Sequence, residues 1–266
     1  MTATHPAYDV LRPVTPLASV LLARNPSPMT LEGTNTWVLR APGEERCVVV
    51  DPGEDDQEHL TRVAGQGPVE LVILTHHHHD HAGGARRFAE LTGAPVRALD
   101  PSLVLGSEAL AHGDVVAAAG VELRILATPG HTADSISIVL DGPGEPGPAV
   151  LTGDTILGRG TTVIAEPDGS LGPYLDSLRL LRELADGTDV LPGHGPELTD
   201  APAAARTYLA HREERLEQVR RACETLGPDA TPRQVVEIVY ADVDTVLWPA
   251  ADSSVKAQLD YLRAGR

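Results

Sequence analysis

Leu71-Val72-Ile73-Leu74-Thr75-His76-His77-His78-His79-Asp80-His81-Ala82-Gly83-Gly84 is the stretch on which the reading of this chain turns. Four β-favouring residues run into Thr75 and predict a strand that ends there. Beyond the strand, His76 and His78 emerge two residues apart and point to one side, because side chains of extended backbone alternate. Asp80 and His81 follow, where Gly83 and Gly84 let the chain turn tightly into a helix supported by the pattern of Ala85–Leu91. The stretch offers two adjacent ligand sets, His76/His78 and Asp80/His81. Imidazole and carboxylate together suit Zn²⁺, with Fe²⁺ or Mn²⁺ as further choices. His77 and His79 alternate away from that side. The run is internal and follows an apolar strand, unlike a terminal purification tag.

Three later segments repeat the design. VELRILATPGHT is a predicted strand leading to His131, PAVLTGDTI one leading to Asp154, and DVLPGHGPEL a short one leading to His194. With His76, His78, Asp80 and His81 they supply the ligands that two divalent ions need, one carboxylate bridging and a water completing the site. Two ions sharing a water bring its pKa down toward about 7, which places a bridging hydroxide at the site near neutral pH.

Around these segments strands alternate with helices. Ala18–Asn25, Asn35–Arg40, Arg46–Asp51, Pro95–Leu99 and the alternating Ser135–Gly142 are predicted strands; Gly53–Gly67, about 84–92 and Pro173–Leu184 are predicted helices. This pattern predicts layered sheets and helices, an α/β fold, over residues 1–200. From 201 to 266 the texture is helical. A long charged helix ends at the Leu226-Gly227-Pro228 turn, a short helix follows, and a terminal helix comes after an interruption at Trp248-Pro249.

The chain has 266 residues, 42% of them hydrophobic, enough for one sizeable core and a small second lobe. Its formal charge is −17, with 12 Arg against 28 Asp and Glu up to residue 202 and near balance afterwards. Nucleic-acid binding draws its affinity from neutralised phosphates, so this balance disfavours a nucleic-acid partner. The N-terminus MTATHPAYDV is not a secretory leader and no apolar run reaches membrane-spanning length, so a cytoplasmic protein without a membrane partner is expected. Cys47 and Cys223 lie far apart, outside any Cys-x-x-Cys spacing, and are expected to be free thiols.

THHHHDHAGG with PGHT, TGDT and PGHG resembles the metallo-β-lactamase superfamily over roughly residues 17–196. The resemblance implies an αβ/βα sandwich with a dinuclear metal site at one edge. His76, His78 and His131 would hold one ion, Asp80, His81 and His194 the other, and Asp154 would bridge them. Asp51 in VVVDPG matches the family's acidic residue behind the site, which orients ligands. The signature is similar to that of glyoxalase II, although Asp134-Ser135 follows PGHT where glyoxalase-like members often have a histidine. A carboxylate at Asp154 sets the chain apart from true β-lactamases. NPSPMTLEGTNTWVL, GDTILGRGTTV and YLAHREER resemble the β-lactamase-like protein 2 group, whose animal member is a single-strand RNA endonuclease and whose fungal relatives include polyketide thioesterases. That resemblance extends to a C-terminal winged-helix-like lobe.

The expected activity is hydrolysis of a small-molecule or carrier-bound thioester or ester, with single-stranded RNA cleavage as the alternative. Asp80 would accept a hydrogen bond from the attacking hydroxide. Thiolates leave readily, and an acidic body does not repel a neutral acyl group. Arg212, Arg215, Arg220 and Arg221 are interleaved with glutamates, a spacing that predicts a salt-bridged helix face. Tyr208, His211 and Arg212 fall on one side of that helix and are candidate substrate contacts, Arg212 for a phosphate. The Pro-stiffened loop Asn25–Thr30 is expected to border the mouth of the site.

Overall fold

The computed structural model describes residues 5–143, 147–165, 167–227 and 229–265; residues 1–4 of the N-terminus, Pro228 of the expected turn and Arg266 lie outside them. Two sheets form its centre. The first has six strands in chain order: β1 (Arg12–Pro13), β2 (Ala18–Leu22), β3 (Asn35–Leu39), β4 (Cys47–Val50), β5 (Val69–Ile73) and β6 (Val96–Arg97). Its hairpin-linked strands β1 to β4 are antiparallel, whereas β4, β5 and β6 are parallel. The parallel pairs are joined by helices α1 (Gln57–Ala64) and α3 (Ala85–Thr92), the crossover that parallel pairing requires. The one-turn helix α2 (His79–Ala82) precedes α3.

The second sheet is ordered β11-β10-β9-β8-β7, from β7 (Val115–Ala118), β8 (Val121–Ala127), β9 (Ile136–Asp141), β10 (Ala149–Gly153) and β11 (Asp189–Pro192). Helix α4 (Leu171–Arg182) connects the parallel pair β10 and β11.

The layers follow from burial. Leu39, Val48, Val50 and Ile73 of the first sheet pack against Leu123, Ile138, Leu140 and Leu151 of the second. On the outer face of the first sheet, Val49 and Val72 meet Leu60 and Val63 of α1 and Phe88 of α3. On the outer face of the second, Val139 and Val150 meet Tyr174 and Leu178 of α4 and the first half of α5 (Ala201–Leu226). Helix, sheet, sheet, helix is the expected αβ/βα sandwich. Ser135–Gly142 reads as an alternating strand, yet Ile136 to Leu140 are buried on both faces because α4 and α5 cover what would be the solvent side.

The C-terminal helices have their own core. Val219 and Ala222 at the far end of α5 pack with Val235 and Val236 of α6 (Pro232–Val239) and Val255 and Leu259 of α7 (Trp248–Arg263). Trp248-Pro249 does not interrupt a helix: both residues lie in the first turn of α7, where proline costs no hydrogen bond. Cys47 is buried and Cys223 partly so, both as free thiols. Among the described residues no helix is long and apolar enough to cross a membrane.

His59 of α1 carries a pH-dependent part of the stability. Its Nε2 lies 2.8 Å from the Thr36 hydroxyl, and burial pushes its pKa from 6.5 down to about 4. The folded chain binds that proton less readily than the unfolded one. The contribution is therefore complete above about pH 6.5 and is lost as the pH falls toward 4, by at most about 3 kcal/mol. Replacing His59→Gln is expected to shallow the fall in thermal stability between about pH 7 and pH 4.5. Parallel pH curves for the two proteins would contradict this.

Candidate metal centre

The strand ends deliver seven side chains to one edge of the sandwich. Backbone past β5 supplies His76 and His78, α2 supplies Asp80 and His81, and the loops after β8, β10 and β11 supply His131, Asp154 and His194. Both sheets are stitched together at this edge. Asn35 of β3 donates from its backbone N to Gly193 O (2.8 Å) and from Nδ2 to Pro192 O and Gly195 O (3.0 and 2.9 Å), and Ile136 N donates to Thr75 O at 2.9 Å. A shift in register between Leu151 and Gly153, where β10 pairs β11, re-aims the chain so that Asp154 faces the cluster. Gly193 is required by close approach: a Cβ there would sit 2.6 Å from Asp154 Oδ1 and 2.8 Å from His81 Cε1.

Donor atoms of His76, His78 and His131 lie within 4.8 Å of one another, as do those of Asp80, His81 and His194 and those of His76, His81 and Asp154. His131 Nε2 is 3.0 Å from His78 Nδ1. His81 Nε2 is 3.2 Å from both His194 Nε2 and Asp80 Oδ2, and His194 Nε2 is 3.1 Å from Asp80 Oδ2. Asp154 reaches both sets, with Oδ1 3.4 Å from His81 Nε2 and Oδ2 3.4 Å from His194 Nε2 and 3.6 Å from His131 Nε2.

These separations fit metal ions. Zinc–ligand bonds of about 2.0–2.1 Å in a tetrahedron put neighbouring donor atoms about 3.3–3.4 Å apart. The buried atoms His76 Nε2 and Asp154 Oδ1 of this cluster have no hydrogen-bond partner, an expensive arrangement for protein alone that a shared cation would relieve.

Hydrogen bonds on the far side of the His76, His81, His131 and His194 rings fix which nitrogen faces inward. Asp51 is 1% exposed and carries the largest share of this work. Its Oδ1 accepts from Thr75 N at 2.8 Å, and its Oδ2 accepts from the Thr75 hydroxyl at 2.6 Å and from His81 Nδ1 at 2.8 Å. Having donated to Asp51, the Thr75 hydroxyl is left to accept from His76 Nδ1 at 3.0 Å. One carboxylate therefore turns the Nε2 lone pairs of two histidines toward the site. His131 Nδ1 donates to Val163 O at 2.8 Å beside the Thr162 hydroxyl, and His194 Nδ1 donates to Gly33 O at 3.1 Å.

Charge follows from the same contacts. Burial holds the pKa of His76 well below the ordinary imidazole value, and burial with the neighbouring His131 pushes His78 down to about 4. Burial works against ionising Asp80 and Asp154, but the hydrogen bonds and charges of His194 and His81 outweigh it and hold both carboxyls well below the usual range. Burial likewise disfavours protonation of His81 and His194; Asp154, with Asp51 for His81 and Asp80 for His194, reverses this and raises them, His194 to about 9. The cluster thus presents ionised carboxylates and inward nitrogen lone pairs, with the protons on His81 and His194 the ones a cation would displace.

His77 and His79 are exposed, as the alternation predicts, and the donor atoms of His77, His78 and Asp168 also lie within 4.8 Å of one another. His77 Nδ1 binds Asp134 Oδ1 at 2.8 Å on the outside of the cluster. A cavity of about 340 Å³ opens beside His131 and Asp154. Pro28 and Met29 of the Asn25–Thr30 loop line it, so that loop borders the site. The helical side is made by α5 and the C-terminal helices, with His211 and Arg212 in its wall. Tyr208 is placed differently: its hydroxyl accepts from Leu157 N and donates to Leu157 O (3.0 and 3.1 Å), which holds the loop after β10. Arg220 and Arg221 pair with Glu217, as the interleaved charges predict. The stitching role of Asn35 has no local sequence signal beyond its place at a strand start.

The metallo-beta-lactamase superfamily profile matches residues 29–194, and that of the beta-lactamase associated winged helix domain matches residues 231–265. A Drosophila melanogaster protein called beta-lactamase-like protein 2 homolog is 31% identical over 91% of this chain and 86% of its own length. The atrochrysone carboxyl ACP thioesterase of Aspergillus chevalieri is 32% identical over 90% of this chain and 77% of its own length. The crystal structure of a beta-lactamase domain protein from Burkholderia ambifaria superposes with a TM-score of 0.79 at 24% identity, covering 98% of this chain and 90% of the other. Sandwich, ligand cluster and profile coincide over the same residues, and the chain belongs to the metallo-β-lactamase superfamily.

Proposed function

We propose that this enzyme is a hydrolase that uses two divalent metal ions, zinc before iron or manganese, to cleave a thioester or ester on a small or carrier-bound acyl substrate. His76, His78 and His131 would hold one ion and Asp80, His81 and His194 the other, with Asp154 between them. When bound, such a pair supplies a Lewis acid for the carbonyl oxygen and lowers the pKa of water. The chain's own residues do the remainder. Asp80 has 21% of its side chain exposed against 10% for Asp154, so it is the carboxylate that solvent water reaches. Held ionised by His194 and His81, it accepts a hydrogen bond from the attacking water and directs its lone pair toward the carbonyl. Asp51 keeps His81 and His76 in their inward orientation throughout. A thiolate leaving group needs little proton donation.

The observation that carries the substrate class is the cavity beside His131 and Asp154. Leu31, Leu157, Val163, Val243 and Leu247 give it apolar walls that suit an acyl chain better than a polyanionic backbone. The similarity to a protein named as an acyl-carrier thioesterase supports the same reading. Cleavage of single-stranded RNA is the competing activity. Metal-reconstituted enzyme assayed side by side on acyl-thioesters and on a labelled single-stranded RNA separates the two. Turnover of thioesters without RNA cleavage is expected; RNA cleavage with inert thioesters would replace the proposal.

A further inference from the structure

The same cavity contains positive charge that the protein does not neutralise. Arg212 is 3% exposed, its Nη2 donates to Thr162 O at 2.5 Å, and its guanidinium lies 5.2 Å from the centre of the Tyr174 ring. Its Nε has no hydrogen-bond partner. Arg215, three residues on and on the same side of α5, donates from Nη1 to Gln218 Oε1 (2.8 Å) and Val239 O (3.0 Å) and lies 4.8 Å from the centre of the Tyr240 ring. Both line the cavity, and among the described residues no carboxylate comes within salt-bridge distance of either. The arginines around them behave otherwise. Arg159, also on the cavity wall, is 2.6 Å from Glu32, and Arg220 and Arg221 of the same helix are paired with Glu217.

Acidic partners are abundant in a chain with 38 Asp and Glu against 21 basic residues. Arg86, Arg124 and Arg206 also have no carboxylate at salt-bridge distance but are exposed to solvent, whereas Arg212 is the one buried arginine among the described residues and Arg215 is half-buried beside it. Burying a cation without a counter-charge is unfavourable, and it persists where a ligand brings the anion. His211, on the same wall, adds a buried Nδ1 that also lacks a partner. His131 and Asp154 line the same cavity, and Thr162, whose carbonyl accepts from Arg212, has its hydroxyl 2.9 Å from His131 Nδ1.

We propose that Arg212 and Arg215 form a recognition site for an anionic group, a carboxylate or a phosphate, carried by the substrate while its reacting carbonyl lies at His131 and Asp154. The substrate then carries a negative group as well as a reactive acyl carbon, with the apolar residues of the cavity available to the rest of the acyl group. This rests on the thioester reading for the reactive carbon, but the anion site itself does not need turnover. Guanidinium binds carboxylate and phosphate alike through paired N–H donors. The negative group is supplied either by a dicarboxylic acyl group or by the phosphate of a phosphopantetheine arm.

Four substrates separate these sources: pentanoyl and glutaryl thioesters, each on pantetheine and on 4′-phosphopantetheine. With the metal-loaded full chain, at least one charged member is expected to show a KM about tenfold below that of pentanoyl-pantetheine. A glutaryl preference identifies the carboxylate and a phosphopantetheine preference the phosphate. Arg215→Gln and Arg212→Gln should each bring that preference to within about twofold, while Arg215→Lys retains part of it. Because Arg212 also holds the Thr162 loop, Arg215→Gln, whose present contacts are neutral, decides the case if Arg212→Gln misfolds. Calorimetric binding of glutarate against pentanoate, and of 4′-phosphopantetheine against pantetheine, reads the same preference without catalysis. Binding that depends on the arginines in an enzyme inert to all four thioesters would keep the anion site and remove the thioesterase reading. Equal KM and equal binding for charged and neutral members, or a preference unchanged in both glutamine variants, would overturn the site.

Discussion

Asp154→Ala is expected to lower kcat/KM on the preferred thioester by at least about a thousandfold, or about 4 kcal/mol of transition-state stabilisation. Asp154 is the one side chain whose two oxygens approach both ligand sets, at 3.4 Å from His81 and from His194 and 3.6 Å from His131. Removing it opens a gap between the sets and leaves His81 and His194 without the carboxylate that raises their pKa values. Metal content should fall below two ions per chain in the same preparation. Asp154→Asn, which preserves shape and removes the charge, should show most of the loss. Full activity in the alanine variant, measured beside elemental analysis, would show that Asp154 does not join the two halves of the site.

The second large effect belongs to a residue that touches no ion. Asp51→Asn is expected to weaken metal binding about 10- to 100-fold, the range for groups that orient ligands from behind. Asparagine is the informative choice because Asp51 has φ +53, a left-handed conformation that asparagine adopts at lower cost than alanine. The amide presents one acceptor oxygen where the carboxylate presents two, so Thr75 N, the Thr75 hydroxyl and His81 Nδ1 cannot all keep their bonds. His81 and His76 are then free to rotate their Nε2 lone pairs away. Competition with a metallochromic chelator measures the change; unaltered affinity would mean that the rings are held by packing alone.

Much of this arrangement is legible in the chain. His76 and His78 are placed by strand alternation, and His131, Asp154 and His194 by the repeated sequence of a β-rich segment followed by Pro-Gly or Gly-Asp. Asp51 is legible only through resemblance, since Asp-Pro-Gly after a strand is equally a turn, and nothing local says that its carboxylate spans Thr75 and His81. Burial on both faces from Ile136 to Leu140 is invisible to alternation because it depends on α4 and α5 packing over the second sheet. The stitch from Asn35 to Pro192 and Gly195 joins residues about 160 apart and exists only once the sheets are stacked. Arg212 and Arg215 read as members of a salt-bridged helix face. The spacing holds for Arg220 and Arg221, whereas Arg212 and Arg215 turn inward against Tyr174 and Tyr240, a choice made by tertiary contacts.

Titration of metal-free protein with zinc, following thioester hydrolysis after each addition, tests the two-ion account most directly. Activity should be absent at the start, remain low through the first equivalent or rise in proportion to doubly loaded chains, and reach its plateau at two ions per chain, with elemental analysis giving the same stoichiometry. A plateau at one ion, or full hydrolysis in protein shown to be metal-free, would contradict it.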